Sequence, residues 1–296
     1  MIISVSRRTD IPAFYAEWFI NRVRAGYCTV PNPFNDKQVS RIPLSPANVD
    51  VIVFWTRNPA PLMKYLPELD ERGFRYYFLY TVMDNPRLLD PKVPPVAESI
   101  RIFTELSDQI GAEKVIWRYD PMVLSTHTGI DFHIEKFSTI ASGLKGRTQR
   151  VIISLVDVYK SIMSRMDELG ESGLKLLVPD AVILEKLICP LVEIADENGM
   201  EIVSCAEKFD LEPFGVKPAK CIDDVLIHRV FGLSVSGGKD PAQRKACGCV
   251  VSRDIGMYDT CAFNCVYCYA TRSFDAVKKN RARHDVASPS LSGWYE

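Results

Sequence analysis

Short runs of β-branched and aromatic residues recur along this 296-residue chain, separated by longer stretches with helical periodicity. The runs at residues 2–6, 49–56, 76–82, 114–119, 150–155 and 201–205 are rich in Val, Ile, Phe and Tyr. Their length and composition predict strands. Between them, residues 96–110 and 181–198 repeat apolar positions three and four apart and are long enough for amphipathic helices. Strand–helix alternation favours a parallel sheet, because parallel neighbours need a crossover connection. Six such units, with a further short run at residues 256–260, predict an α/β fold. The expected form is a TIM-like βα barrel, partial or circularly permuted, built as a single domain over residues 1–296 with a cysteine loop near its C-terminus.

Polar residues cluster where these strands end, at residues 6–10, 55–58, 118–120, 154–157 and 204–207. In βα barrels the active site is built from the loops after the C-terminal strand ends. Helix caps and loop ion pairs explain any one cluster; five of them point to one shared site. Arg57, Arg118, Asp120, Asp157 and Glu207 are the candidate substrate-facing residues.

At 47% hydrophobic residues the chain can bury a large core. Its formal net charge of −1 gives no global electrostatic case for nucleic acid or an anionic membrane. The first residues form a strand-like run rather than a secretory leader, and no stretch approaches the ~20 apolar residues of a membrane span. Nine cysteines in such a chain read as reduced thiols or metal ligands, and the protein is expected to be cytoplasmic with no membrane partner. The basic run at residues 278–283 reads as a solvated helix face.

Cys261, Cys265 and Cys268 form a C-x3-C-x2-C array with Tyr267 directly before the third thiol. Three thiols are one short of the closed shell of structural zinc. They are the right number for three corners of a [4Fe–4S] cube with the fourth iron left open. The spacing resembles the signature of the radical S-adenosylmethionine (SAM) superfamily, and residues 265–269 are similar to the spore photoproduct lyase version. The resemblance implies that the open iron chelates the amino and carboxylate groups of SAM. The reduced cluster then cleaves a carbon–sulfur bond to give a 5′-deoxyadenosyl radical. It also implies that Tyr267 lies beside the adenine and that a reducing partner, such as a flavodoxin or ferredoxin, is needed; which donor it is stays open. The substrate, whether small molecule, peptide or nucleotide, stays open. Residues 6–15, 54–59, 205–211 and 258–270 together resemble an uncharacterised bacterial family with a cysteine-rich C-terminus.

Radical SAM enzymes usually carry the triad after their first barrel strand, whereas here it begins at residue 261. A circularly permuted barrel accounts for this, with residues 257–260 as first strand, 261–268 as cluster loop, 270–283 as the next helix and 2–6 as second strand. A cysteine-rich appendage on an unrelated barrel is the alternative. Under permutation the SAM-binding position falls on Ser6, Arg7, Arg8 and Asp10. Hydroxyls and Asp10 there can accept from an ammonium, and either arginine can meet a carboxylate. The usual Gly-Gly-Glu form is absent.

Cys205, Cys221, Cys247 and Cys249 are four further thiols, enough for a second [4Fe–4S] cluster. Alternatively Cys247 or Cys249 completes a zinc shell with the triad, or the four are buried thiols of the core. Cys28 and Cys189 read as structural. Residues 247–268 thus form a cysteine-rich, cluster-binding segment. The leading expectation is a radical SAM enzyme with a [4Fe–4S] cluster. A non-redox protein with a structural four-cysteine zinc site is one alternative. A DNA-lesion lyase similar to spore photoproduct lyase is another, and the near-neutral charge counts against it.

Overall fold

The computed structural model describes residues 1–296, apart from the side chain at position 161. Its strands are β1 (Ile2–Val5), β2 (Tyr27–Asn32), β3 (Asn35–Pro43), β4 (Val51–Thr56), β5 (Tyr76–Thr81), β6 (Val115–Met122), β7 (Arg150–Leu155), β8 (Glu201–Cys205), β9 (Lys217–Ala219) and β10 (Arg253–Asp254). Eight of them form one sheet in the order β10-β1-β4-β5-β6-β7-β8-β9, and every pairing in it is parallel. All C-terminal strand ends therefore open on the same rim. The fold is α/β; β9 and β10 are the two edges of the sheet and do not pair with each other.

The sheet is buried on both faces, which is why its strands read as dense apolar runs rather than strict alternation. On β4, Ile52 and Phe54 enter the larger apolar cluster with Phe103 and Leu106 of the helix Val96–Ile110 and Leu187 and Leu191 of the helix Ala181–Glu197. Val51 and Val53 point the other way, into a second cluster with Ile222, Ile227, Cys247, Cys249 and Val250. The chain between β9 and β10 thus covers the face that the crossover helices leave open.

The six strand-like runs of the sequence are all strands of this sheet. The antiparallel hairpin β2–β3 was not anticipated, because β3 is mostly exposed and lacks an apolar repeat. Residues 256–260 are not a strand. The strand lies just ahead of them, at β10, paired Ile3↔Arg253 and Ser4↔Asp254. Gly256 then crosses so close to β1 that a Cβ there would sit 1.9 Å from Ser6 Oγ. Asp259 follows in the left-handed region, φ 55°, with its buried carboxylate accepting from Arg272 Nε at 2.7 Å. That turn ends any extended run and sends the chain into the cysteine loop. The helix after the triad spans Phe274–Ala282, shorter than the 270–283 expected. Among the described residues no helix is long and apolar enough to cross a membrane.

Candidate functional site

A cavity of about 540 Å³ lies at the C-terminal rim of the sheet. Its walls come from the ends of β1, β4, β6, β7 and β8 and from the C-terminal loop. Cys205, Cys221, Cys247, Cys249, Cys261, Cys265 and Cys268 all line it. Parallel strands deliver their last residues, Cys205 among them, to one edge, and the other six cysteines reach it from the chain after β9 and on either side of β10.

The triad loop is held from several sides. Tyr15 donates its hydroxyl to the Thr260 carbonyl at 2.6 Å, and the Val266 N–H reaches the Leu89 carbonyl at 3.0 Å. Arg165 sends one guanidinium nitrogen to the carbonyl of Cys268 and another to that of Thr271, each at 2.6 Å. Phe263 packs its ring 4.6 Å from that of Phe14. Asn264 takes the left-handed conformation at φ 58°, which asparagine tolerates better than most residues. Burial pushes the Cys261 thiol up to about 12.

Tyr267 is fixed by a network. Its hydroxyl lies 2.8 Å from both oxygens of Asp90, and Arg57 reaches it at 2.5 Å and Asp90 at 3.1 Å. Asn85 Nδ2 adds a bond to Asp90 at 2.9 Å. Burial holds the Tyr267 phenol well above its usual range, so it remains a donor to Asp90. Arg57 therefore moors the cysteine loop from beneath.

The other expected residues take equally specific positions. Asp10 caps the helix Ile11–Phe14 through the Ala13 N–H (3.0 Å) and accepts from Thr56 Oγ1 (2.8 Å) and the Arg57 N–H (2.6 Å). Burial raises it to about 7 despite these donors. Ser6 Oγ donates to Asp254 at 2.9 Å and accepts from the Arg8 N–H at 2.9 Å. Arg8 lies over the Tyr258 ring, 5.1 Å from its centroid. Arg118 pairs with Asp120, which also receives Ser154 Oγ. Asp157 is bracketed by Arg244 and Lys208. Glu207 is the exception to the shared site: it does not line the cavity. Its carboxylate is occupied by the backbone N–H groups of Leu155 (2.8 Å) and Lys208 (2.7 Å) at the ends of β7 and β8.

The remaining thiols form a second group. Cys205 and Cys221 bring their sulfurs to 3.0 Å, and the Ile222 N–H donates to Cys249 Sγ at 3.3 Å. Cys249 is held low by Cys221 and Cys247, whereas Cys221 is pushed up first by Cys205 and then by Cys249, and Cys247 is pushed up by Cys249. Among the described residues, no group of three or more His, Cys, Asp or Glu side chains is arranged so that it could hold a metal ion. A cubane makes no such demand on the triad, because each thiolate takes a different iron.

The family described as a domain of unknown function, DUF1848, matches residues 2–270. This chain belongs to the DUF1848 family. The matched span of the DUF1848 chain takes in all the cavity cysteines and ends just after the triad. No curated protein matches it. Among solved structures, a candidate alpha-L-fucosidase from Bacteroides thetaiotaomicron VPI-5482 is similar at 12% identity and a TM-score of 0.28, over 56% of this chain and 67% of that one. So low a score carries no argument about fold or activity.

Several residues that shape the DUF1848 site escaped sequence reading. Asp254 accepts from Ser4 Oγ (2.8 Å), Ser6 Oγ (2.9 Å), and the N–H groups of Arg7 (2.7 Å) and Gly256 (2.9 Å), tying β10 to β1. Asp90, Asn85 and Arg165 support the triad loop from segments with no motif. Trp55 belonged to the strand-end cluster 55–58, but only the fold shows that Arg7 and Arg118 lie over its ring.

Proposed function

We propose that this protein is a radical SAM enzyme whose catalytic [4Fe–4S] cluster is held by Cys261, Cys265 and Cys268, on a partial, circularly permuted βα barrel. The observation that carries the reading is positional. The triad follows directly from β10, the parallel neighbour of β1, and opens into the cavity that the other strand ends line. A triad placed as an appendage would have no need to share that rim.

The donor set fits the cluster: three thiols from one short loop, buried or half-buried, facing one cavity. The chemistry such a centre supplies when bound is one-electron reductive cleavage of the SAM carbon–sulfur bond. This chain's own residues orient and enclose. Arg57 and Asp90 hold Tyr267, and with it the spacing between Cys265 and Cys268. The segment 6–10 runs along the cavity wall beside Cys261, where its remaining polar groups can meet the methionine part of SAM. Phe263 and Tyr267, both buried, help keep water from the wall. The cavity volume falls within the ~300–1,000 Å³ of typical small-ligand sites.

The test is anaerobic reconstitution followed by SAM and a strong reductant. Release of 5′-deoxyadenosine and methionine is expected without any added substrate, and Cys268→Ala should abolish it. Arg118→Lys should leave this uncoupled cleavage largely intact. Wild-type protein that carries a full, reducible cluster and neither binds nor cleaves SAM would overturn the proposal.

A further inference from the structure

The four thiols outside the triad come from three separate segments. Cys205 closes β8, Cys221 follows β9, and Cys247 and Cys249 lie on the loop before β10. Cys205 and Cys221 bring their sulfurs to 3.0 Å, the Ile222 N–H beside Cys221 donates to Cys249 Sγ at 3.3 Å, and Cys221, Cys247 and Cys249 share one buried cluster against which Cys205 packs. Buried cysteines are ordinary core residues, but these four are surrounded by more than apolar atoms. Arg118 Nη1 lies 3.6 Å from Cys221 Sγ, and Arg7 lies beside Cys249. Both guanidinium groups stack on the ring of Trp55, 4.7 and 5.3 Å from its centroid.

A second observation bears on the same place. Arg118 Nε, Arg7 Nη2 and Trp55 Nε1 are buried with no hydrogen-bond acceptor among the described residues. A buried N–H without a partner is costly, and here three occur on mutually contacting side chains next to four sulfurs. Neutral thiols are weak acceptors. Metal-bound thiolates carry charge, accept N–H donors, and call for cations nearby. We propose that Cys205, Cys221, Cys247 and Cys249 form a tetrathiolate site for one thiophilic metal centre, a zinc ion or an iron–sulfur cluster, with Arg7, Arg118 and Trp55 as its cationic and N–H-donating wall.

As placed, the four thiols do not form a metal shell; forming the centre requires them to turn about χ1 toward one point. The site stands apart from the triad and does not depend on SAM chemistry, although both face one cavity.

The experiment uses the full chain with Cys261, Cys265 and Cys268 all changed to Ser, purified without oxygen. This variant should retain one metal centre per chain. X-ray absorption should show sulfur coordination, as zinc with four sulfurs near the ~2.3 Å of Zn–S bonds, or as iron with matching sulfide and a cluster spectrum. Either form supports the proposal and identifies the metal. Adding Cys221→Ser and Cys249→Ser should remove it. A triad variant that is folded by circular dichroism and holds no stoichiometric metal overturns the proposal. Should that variant fail to fold, the wild-type protein decides. Zinc, or iron beyond a single cubane, with Cys205, Cys221, Cys247 and Cys249 protected from alkylation until the metal is stripped, supports the site. One cubane's iron, no zinc and four freely alkylated thiols overturn it.

Discussion

Replacing Asp90 with Asn isolates one charge in the network beneath the cysteine loop. The two side chains are nearly the same shape, so packing is kept while the carboxylate is lost. Asp90 is 3% exposed and is approached by Arg57, Asn85 and Tyr267, each as a hydrogen-bond donor. The new amide would direct its own N–H groups at donors and leave the Arg57 guanidinium without its counter-charge. Breaking a buried ion pair from one side costs about 3–5 kcal/mol. Arg57 keeps 11% side-chain exposure, which places the expected loss at the lower end, about 3 kcal/mol. At roughly 2–4 °C per kcal/mol for chains of comparable size, the thermal midpoint should fall by about 6–12 °C. Urea and thermal unfolding of the metal-free protein measure this directly. The double variant Arg57→Met, Asp90→Leu removes both charges and should be more stable than Asp90→Asn alone. Iron uptake by Asp90→Asn should fall as well, since Tyr267 sits between two of the triad thiols. The reasoning is refuted if Asp90→Asn unfolds within about 0.5 kcal/mol of wild type, the range of inconsequential surface changes, or if the double variant is the weaker of the two.

Two further outcomes follow from the structure. His133 is fully buried, with Nδ1 3.0 Å from the Tyr119 hydroxyl and Nε2 donating to the Val123 carbonyl at 3.2 Å; burial lowers it from 6.5 to about 4. The unfolded chain therefore takes up this proton first, and stability should fall as pH drops from about 6.5 towards 4, by about 3 kcal/mol in full. His133→Gln should flatten that part of the urea midpoint against pH, and an unchanged acid slope would exclude the assignment. Gly256→Ala brings a methyl group 2.7 Å from Ser6 Cβ as well as onto Ser6 Oγ, so it should destabilise by about 1–3 kcal/mol and lower iron uptake. Adding Ser6→Gly should recover part of the loss; a thermal midpoint that shows no clash in the single variant, or no recovery in the double, would count against this packing.

What the sequence disclosed and what it hid divide along physical lines. The six strand runs were legible because a sheet buried on both faces concentrates Val, Ile and Phe in one place along the chain. The triad was legible because its spacing lies within one loop. β10 was not, since two residues make no pattern; its place is set by Asp254, whose carboxylate meets Ser4 and Ser6 some 250 positions away. The same holds for the charges at the strand ends. Arg57, Arg118 and Asp157 stood out as polar residues after apolar runs, yet their partners Asp90 and Arg244 lie in segments with no signal, and the partner of Arg118, Asp120, looked like another free ligand. A sequence reports the charge, while its neutralisation is a property of the fold. The consequence bears on substrate recognition. With these three side chains already paired, they are poorly placed to act as bare charges toward a substrate. Of the buried donors still lacking an acceptor, those on Arg7, Arg118 and Trp55 gather beside the second group of thiols, Thr9 Oγ1 lies on the wall of the same cavity, and those on Arg22 and Arg165 lie outside it. Under the proposed second centre, thiolates of Cys205, Cys221, Cys247 and Cys249 bound to a metal would give the donors on Arg7, Arg118 and Trp55 an anionic neighbour without any further residue.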